Sequence, residues 1–360
     1  MSQKLLIRGG RVVDPGQGVD EERDVLIVDG RVEAVERGIE SEDAEVLDAA
    51  GKVVTPGLID IHVHLREPGQ EYKETVATGT RAAAAGGFTA VACMPNTVPP
   101  NDDPSITEFI LERASDAGFA RVYPIATISR AMQGEALSEF GLLAAAGAVA
   151  VSDDGLPVSD SELMRRALMH GRQVGIPVIQ HCEDKQLSGD GVMHEGEIST
   201  RLGLAGIPGA ADDAMIARDL LLLEETGGRY HVAHLSTARG VELIRDAKSR
   251  GLDVTCEVSA HHLLLTDVAV LESGIDPNWK MHPPLRSERD RQGLLEGVVD
   301  GTIDCIASDH APHHPDEKKI DFVEAPNGIV GLETTVGLVL DRLVGEGHLG
   351  LSQAVDLLST

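Results

Sequence analysis

The chain has 360 residues, is 42% apolar, and sets 59 acidic against 31 basic side chains for a net charge of −28. That length suits one large domain with an appendage, and that charge opposes nucleic-acid binding. No run of about 18 uncharged apolar residues occurs and the start, Met1 to Arg8, lacks a signal-peptide pattern, so a cytoplasmic location and no membrane partner are expected.

Taken in chain order, residues 1–55 hold short strand candidates separated by glycine turns: Leu5 to Val13, Asp24 to Val28, Arg31 to Val35, then Val46 and Val53-Val54. They predict a small antiparallel β layer, a portion of a β-sandwich. From residue 56 to 360 the pattern changes. Strand candidates at 57–64, 87–94, 121–129, 148–154, 177–183, 230–236, 253–262 and 303–310 alternate with helical stretches such as 72–85, 161–173, 212–225 and 237–249. Alternation of this kind implies a parallel sheet, and eight strands suffice to close a (β/α)8 TIM-like barrel, an α/β fold. The pairs Gly9-Gly10 and Gly86-Gly87 read as turn glycines, and no phosphate loop or nucleotide cofactor is expected. Cys93, Cys182, Cys256 and Cys305 each fall inside a predicted strand without paired spacing, which suits reduced packing residues.

Polar groups cluster where these strands should stop. His62 and His64 are two residues apart and therefore share one face of the first barrel strand. The pair Asp153-Asp154 ends the fourth strand, His181 the fifth, His234 the sixth and Asp309 the eighth. Carboxyl-terminal strand ends converge on one mouth in a barrel, so these groups predict a nitrogen and oxygen ligand set suited to Zn²⁺, one or two ions per chain. Water bound to such ions loses a proton near neutral pH and attacks an amide carbonyl. Asp309 can bind metal, take that proton and deliver it to the leaving nitrogen. A metal-dependent hydrolase of amides follows.

The motifs His62-Val63-His64-Leu65-Arg66-Glu67-Pro68-Gly69, Met94-Pro95-Asn96-Thr97, Ser152-Asp153-Asp154-Gly155, His181-Cys182-Glu183-Asp184, Pro283-Pro284-Leu285-Arg286 and Asp309-His310-Ala311-Pro312-His313 resemble the dihydroorotases of the amidohydrolase superfamily. The resemblance runs the length of the chain. It implies reversible cyclisation of N-carbamoyl-L-aspartate to L-dihydroorotate, in pyrimidine biosynthesis. It assigns Asp154 the bridging place that a carbamylated lysine fills in hydantoinases and allantoinases, with Asp153 left to cap a turn. It also implies substrate contacts from His64, Arg66, Asn96, His313, Asn327 and Gly328, with the Arg66 guanidinium pairing with a substrate carboxylate. A homodimer and an association with aspartate transcarbamoylase are the partner arrangements it leaves open.

Two departures from the family pattern stand out. The family commonly has Asn where this chain has His282, in Lys280-Met281-His282-Pro283-Pro284. His282 is expected to donate a hydrogen bond to the substrate ring in its place. Relatives also continue several dozen residues past Leu357-Leu358-Ser359-Thr360, so the carboxyl-terminal half of the small β layer is expected to be missing. The segment 313–328 reads either as a lid over substrate or as a disordered loop. His261 and His262 are taken as structural. Other cyclic amide hydrolases and an inactive scaffold homologue are the competing functions; retention of every ligand argues against the scaffold.

Overall fold

The computed structural model describes residues 3–359. Its contacts divide it into two compact units, residues up to Leu58 together with those from Val339 onward, and Ile59–Leu338. The stretch from Val339, which sequence reading ran on as barrel, groups with the amino-terminal strands.

In the first unit, strands β1 (Lys4–Asp14), β2 (Val19–Val28), β3 (Arg31–Glu36), β4 (Glu45–Asp48) and β5 (Val53–Val54) form a sheet ordered β3-β2-β1-β4, with β5 also paired to β1. The β1/β2 and β2/β3 pairs are antiparallel, as glycine turns favour, whereas β4 and β5 run parallel to β1. The expected antiparallel layer is therefore mixed. After β3 the chain crosses to the far edge of β1 instead of turning back on itself, and it enters with the same sense as β1. Buried Asp24 pins this crossing, accepting hydrogen bonds from the Gly9 and Ile39 amides at 2.8 and 2.9 Å. Helix Leu351–Ser359 packs on β1 and buries Ala354, Val355, Leu357 and Leu358.

The second unit contains all eight predicted barrel strands: β6 (Leu58–Val63), β7 (Phe88–Cys93), β8 (Arg121–Ala126), β9 (Ala150–Ser152), β10 (Val178–Gln180) and, after a two-stranded insertion of β11 (Met193–His194) and β12 (Gly206–Ile207), β13 (Tyr230–Val232), β14 (Val254–Ser259) and β15 (Cys305–Ala307). They form one sheet in the order β6-β7-β8-β9-β10-β13-β14-β15. A parallel bridge between Val63 and His310 joins its two edges, with the His64 amide donating to the His310 carbonyl at 2.9 Å. The result is a (β/α)8 barrel.

Sequence explains the helices between strands. In Ser161–Val174, the Asp160 carboxylate caps the start by accepting from the Leu163 amide at 2.8 Å. Leu163, Met164, Ala167, Leu168 and Gly171 recur at three- and four-residue intervals and are buried, and burial of each large side chain contributes about 1.5–3 kcal/mol. Apolar strand residues Ala92, Met94, Ile125, Ala150, Ile179 and Ala233 form one buried cluster, with partly buried Ile61 packed against it.

Candidate active site

The strand-end groups converge. His62, at the end of β6, is 0% exposed, and its Nε2 lies 3.5 Å from both Asp154 Oδ1 and Asp309 Oδ1. His64 Nε2 is 3.5 Å from Asp154 Oδ2 and 3.3 Å from Asp309 Oδ1. Following β10, His181 turns its Nδ1 to within 2.8 Å of His234 Nε2 and 3.8 Å of Asp154 Oδ1. His234, just past β13, brings Nε2 to 3.3 Å from the same Asp154 oxygen. Asp154 thus stands between two histidine pairs. Asp153 points away, accepting from the Ile128 and Ser129 amides at 2.8 and 3.0 Å, and so caps the end of β8.

The electrostatics match ionised carboxylates among imidazoles. Burial alone would raise the Asp154 carboxyl, but His62, His234 and His64 together hold it well below the usual carboxylate range. For Asp309 the same opposition, burial against His62 and His64, leaves it at about 2. His62 Nε2 and His234 Nδ1 are buried without any hydrogen-bond partner. An imidazole nitrogen so placed needs an acceptor of its lone pair, and His62 Nε2 is aimed at two carboxylates that are close but not aligned. The donor set, imidazoles and carboxylates with ligand atoms of His62, His64 and Asp309 and of His62, Asp154 and His234 each within 4.8 Å, fits a metal ion.

Three residues of the site carry backbone strain. Arg66, His234 and Asp309 all take positive φ, at 62°, 32° and 46°. Each such residue costs roughly 1–3 kcal/mol and is held only where the surrounding structure dictates it.

The mouth opens into a cavity of about 160 Å³ lined by His64, Arg66, Asn96, His282, His313 and Asn327 together with the cluster. Arg66 is 8% exposed and, among the described residues, its guanidinium donates once, from Nε to the Pro312 carbonyl at 3.2 Å. Asn96 turns inward, with Oδ1 2.8 Å from His64 Nδ1 and Nδ2 donating to the Asp154 carbonyl at 3.4 Å. His313 Nε2 donates to the Asn327 carbonyl at 2.8 Å, and burial followed by the nearby Arg66 charge pushes His313 down to about 4. Gly328 has φ +152°, and a Cβ there would sit 2.3 Å from the Ala311 carbonyl and 3.0 Å from His313 Nε2. His282 Nε2 is 2.9 Å from Glu183. The segment after His313 is folded down: Lys318 Nζ donates to the carbonyls of Pro277 and Pro326, and Lys280 Nζ to those of Val323 and Ala325. His261 and His262 are buried around the Ser259 hydroxyl, with His262 Nε2 2.9 Å from the Pro283 carbonyl.

Sequence reading missed the carboxylates behind the cluster. Glu257, in the interior of β14, pairs with His62 Nδ1, and its Oε1 accepts the His234 amide at 3.1 Å. Asp60 accepts from the His62 and Ser308 amides at 3.2 and 3.1 Å, tying β6 to β15. Next to His181 in the chain, Cys182 Sγ lies 3.2 Å from the Tyr230 hydroxyl, which donates to buried Asp219 at 2.7 Å. An acid inside an apolar strand was the available signal, because such a group must be paired.

A closed parallel barrel with imidazoles and carboxylates gathered at its strand ends defines the class, an amidohydrolase-type barrel enzyme. The solved structures agree: an L-hydantoinase from Arthrobacter aurescens superposes with TM-score 0.85 at 27% identity over 99% of this chain and 81% of its own, and a D-hydantoinase from Thermus sp. with TM-score 0.83 at 26% identity over 99% and 80%. A family profile described as Dihydro-orotase-like matches residues 51–240. Proteins named dihydroorotase from Syntrophotalea carbinolica and Anaeromyxobacter dehalogenans are 55% and 58% identical, over 99% and 100% of this chain and 83% of each relative. The chain belongs to the dihydroorotase family of cyclic amide hydrolases. None of its helices, among the described residues, is long and apolar enough to cross a membrane.

Proposed function

We propose that the chain interconverts N-carbamoyl-L-aspartate and L-dihydroorotate in pyrimidine biosynthesis, using one or two Zn²⁺ ions. The convergence of four imidazoles on the Asp154 and Asp309 carboxylates carries this reading. His62, His64 and Asp309 would hold zinc on one side of Asp154 and His181 and His234 on the other. The metal would polarise the amide carbonyl and make water nucleophilic near neutral pH.

The chain's own residues do the rest. Arg66 meets the substrate carboxylate with the guanidinium nitrogens that protein leaves unbonded, giving a charge-assisted and bidentate contact. Asp309, ionised among imidazoles, accepts the proton of the attacking water and returns it to the ring nitrogen as the amide opens. In the direction of synthesis the same proton leaves the ureido nitrogen as it attacks the side-chain carboxyl. Asn96 keeps His64 oriented, and His282 on the cleft wall hydrogen-bonds the ring. His313, neutral near pH 7, together with Asn327 and Gly328 closes the far side.

The test couples metal content to turnover. Purified protein should carry one or two zinc ions per chain by mass spectrometry and hydrolyse dihydroorotate, followed at 230 nm, with the rate lost in Asp309→Ala. Full metal with turnover of hydantoin or allantoin but not dihydroorotate would instead identify another cyclic amide hydrolase.

A further inference from the structure

One imidazole further out from the cluster, a second set of donors converges. His282 Nε2 lies 2.9 Å and His181 Nε2 3.5 Å from Glu183 Oε2, and the three atoms are all within 4.8 Å of one another. His181 and Glu183 are each 2% exposed. His181 Nε2 is buried and makes no aligned hydrogen bond in spite of this proximity, whereas Glu183 Oε2 gathers cationic and imidazole partners around it. Leaving a ring nitrogen so placed is unfavourable unless something else satisfies it. The rings of His181 and His282 face one another with centroids 5.2 Å apart and planes 20° apart, and both present Nε2 to Glu183 Oε2. The Lys185 ammonium also pairs with Glu183 Oε2, from a side chain that is 47% exposed.

We infer that His181 Nε2, Glu183 Oε2 and His282 Nε2 form a further site for a divalent cation of the zinc type. Two imidazoles and one carboxylate are a donor set of the kind Zn²⁺ selects, with the remaining positions open to water from the cleft that His181 and His282 line. The inference rests on the proposed function in one respect: His181 Nδ1 is taken to face the catalytic metal, so that its ring bridges the two sites. Loading releases the His181 Nε2 proton to solvent and displaces the Lys185 ammonium. It also withdraws His282 from substrate, so zinc in excess of the catalytic complement weakens substrate binding. The site exists because His stands at position 282; an amide there supplies no imidazole.

The experiment strips the protein with a chelator, reloads it with rising Zn²⁺, removes unbound ion and counts zinc per chain. Wild type should hold one more ion than His282→Asn and Glu183→Gln, whereas Asp309→Ala should retain that extra ion. Excess Zn²⁺ should raise KM several-fold in wild type and leave the KM of His282→Asn, whatever its starting value, unmoved. Equal zinc content in wild type and His282→Asn at saturation would overturn the site while sparing the catalytic reading. Failure of wild type to bind any zinc would overturn both.

Discussion

The Glu257 carboxylate grips His62 Nδ1 on the side of the ring away from Asp154 and Asp309. A His62 ring held through Nδ1 turns its Nε2 toward the two acids, and the same carboxylate orients the His234 backbone. Burial would raise Glu257, but His62 and His231 keep it well below its usual range. Glu257→Gln should therefore keep the fold and lower zinc affinity about 10–100-fold, as competition with a chromophoric chelator would reveal. Unchanged affinity would mean that Glu257 only fills space.

Arg66→Lys tests the carboxylate contact. A lysine keeps the charge but loses the planar fork, and a charged hydrogen bond contributes about 1.5–3 kcal/mol, so KM should rise on the order of 10- to 100-fold with a smaller change in kcat. Steady-state kinetics in both directions would check this. A fall confined to kcat would remove Arg66 from ground-state binding.

Gly328→Ala tests the packing under His313. The new methyl meets the Ala311 carbonyl at 2.3 Å and occupies a φ of +152° that L side chains rarely adopt. The chain must shift, and His313 with it. We expect activity to fall at least tenfold while the melting temperature drops by only a few degrees, since the strain is local. Calorimetry and kinetics on the same preparation separate the two.

Asp219→Asn tests the buried acid that accepts from Tyr230. Burial, opposed by Arg218 and Tyr230, raises Asp219 from 3.8 to about 6. A carboxyl whose folded pKa lies above its unfolded value adds stability in full below the unfolded pKa, and that contribution is lost as pH rises through the folded one. Asparagine does not titrate. The stability of wild type relative to Asp219→Asn should thus decline by about 3 kcal/mol as pH climbs from below 4 to above 6. Urea midpoints for both proteins across that range would show it; parallel curves would place the Asp219 pKa near its ordinary value.

The barrel and its mouth were legible because two periodicities coincided. Apolar runs marked eight strands, and His62, His64, Asp154, His181, His234 and Asp309 each sat where a run ended. Residues whose work is done within a strand gave no such mark. Glu257 and Asp60 lie inside β14 and β6 among apolar neighbours, and a reading that looks only at strand ends passes over them. The sense of β4 was equally hidden, since a four-residue strand carries the same alternation whether it pairs parallel or antiparallel. So was the company kept by the stretch from Val339, whose helical spacing says which face is apolar but not what covers it.

The bridge between Val63 and His310 sets an order of events for the growing polypeptide. A nascent chain presents His62 and His64 early in synthesis and must wait for Asp309, almost at the far end of the barrel sequence, before the last strand can zip against the first. No shorter translation product can own the finished centre. The donor group of His62, His64 and Asp309 is thereby reserved for a circle that has closed, and the seam acts as a test of completeness.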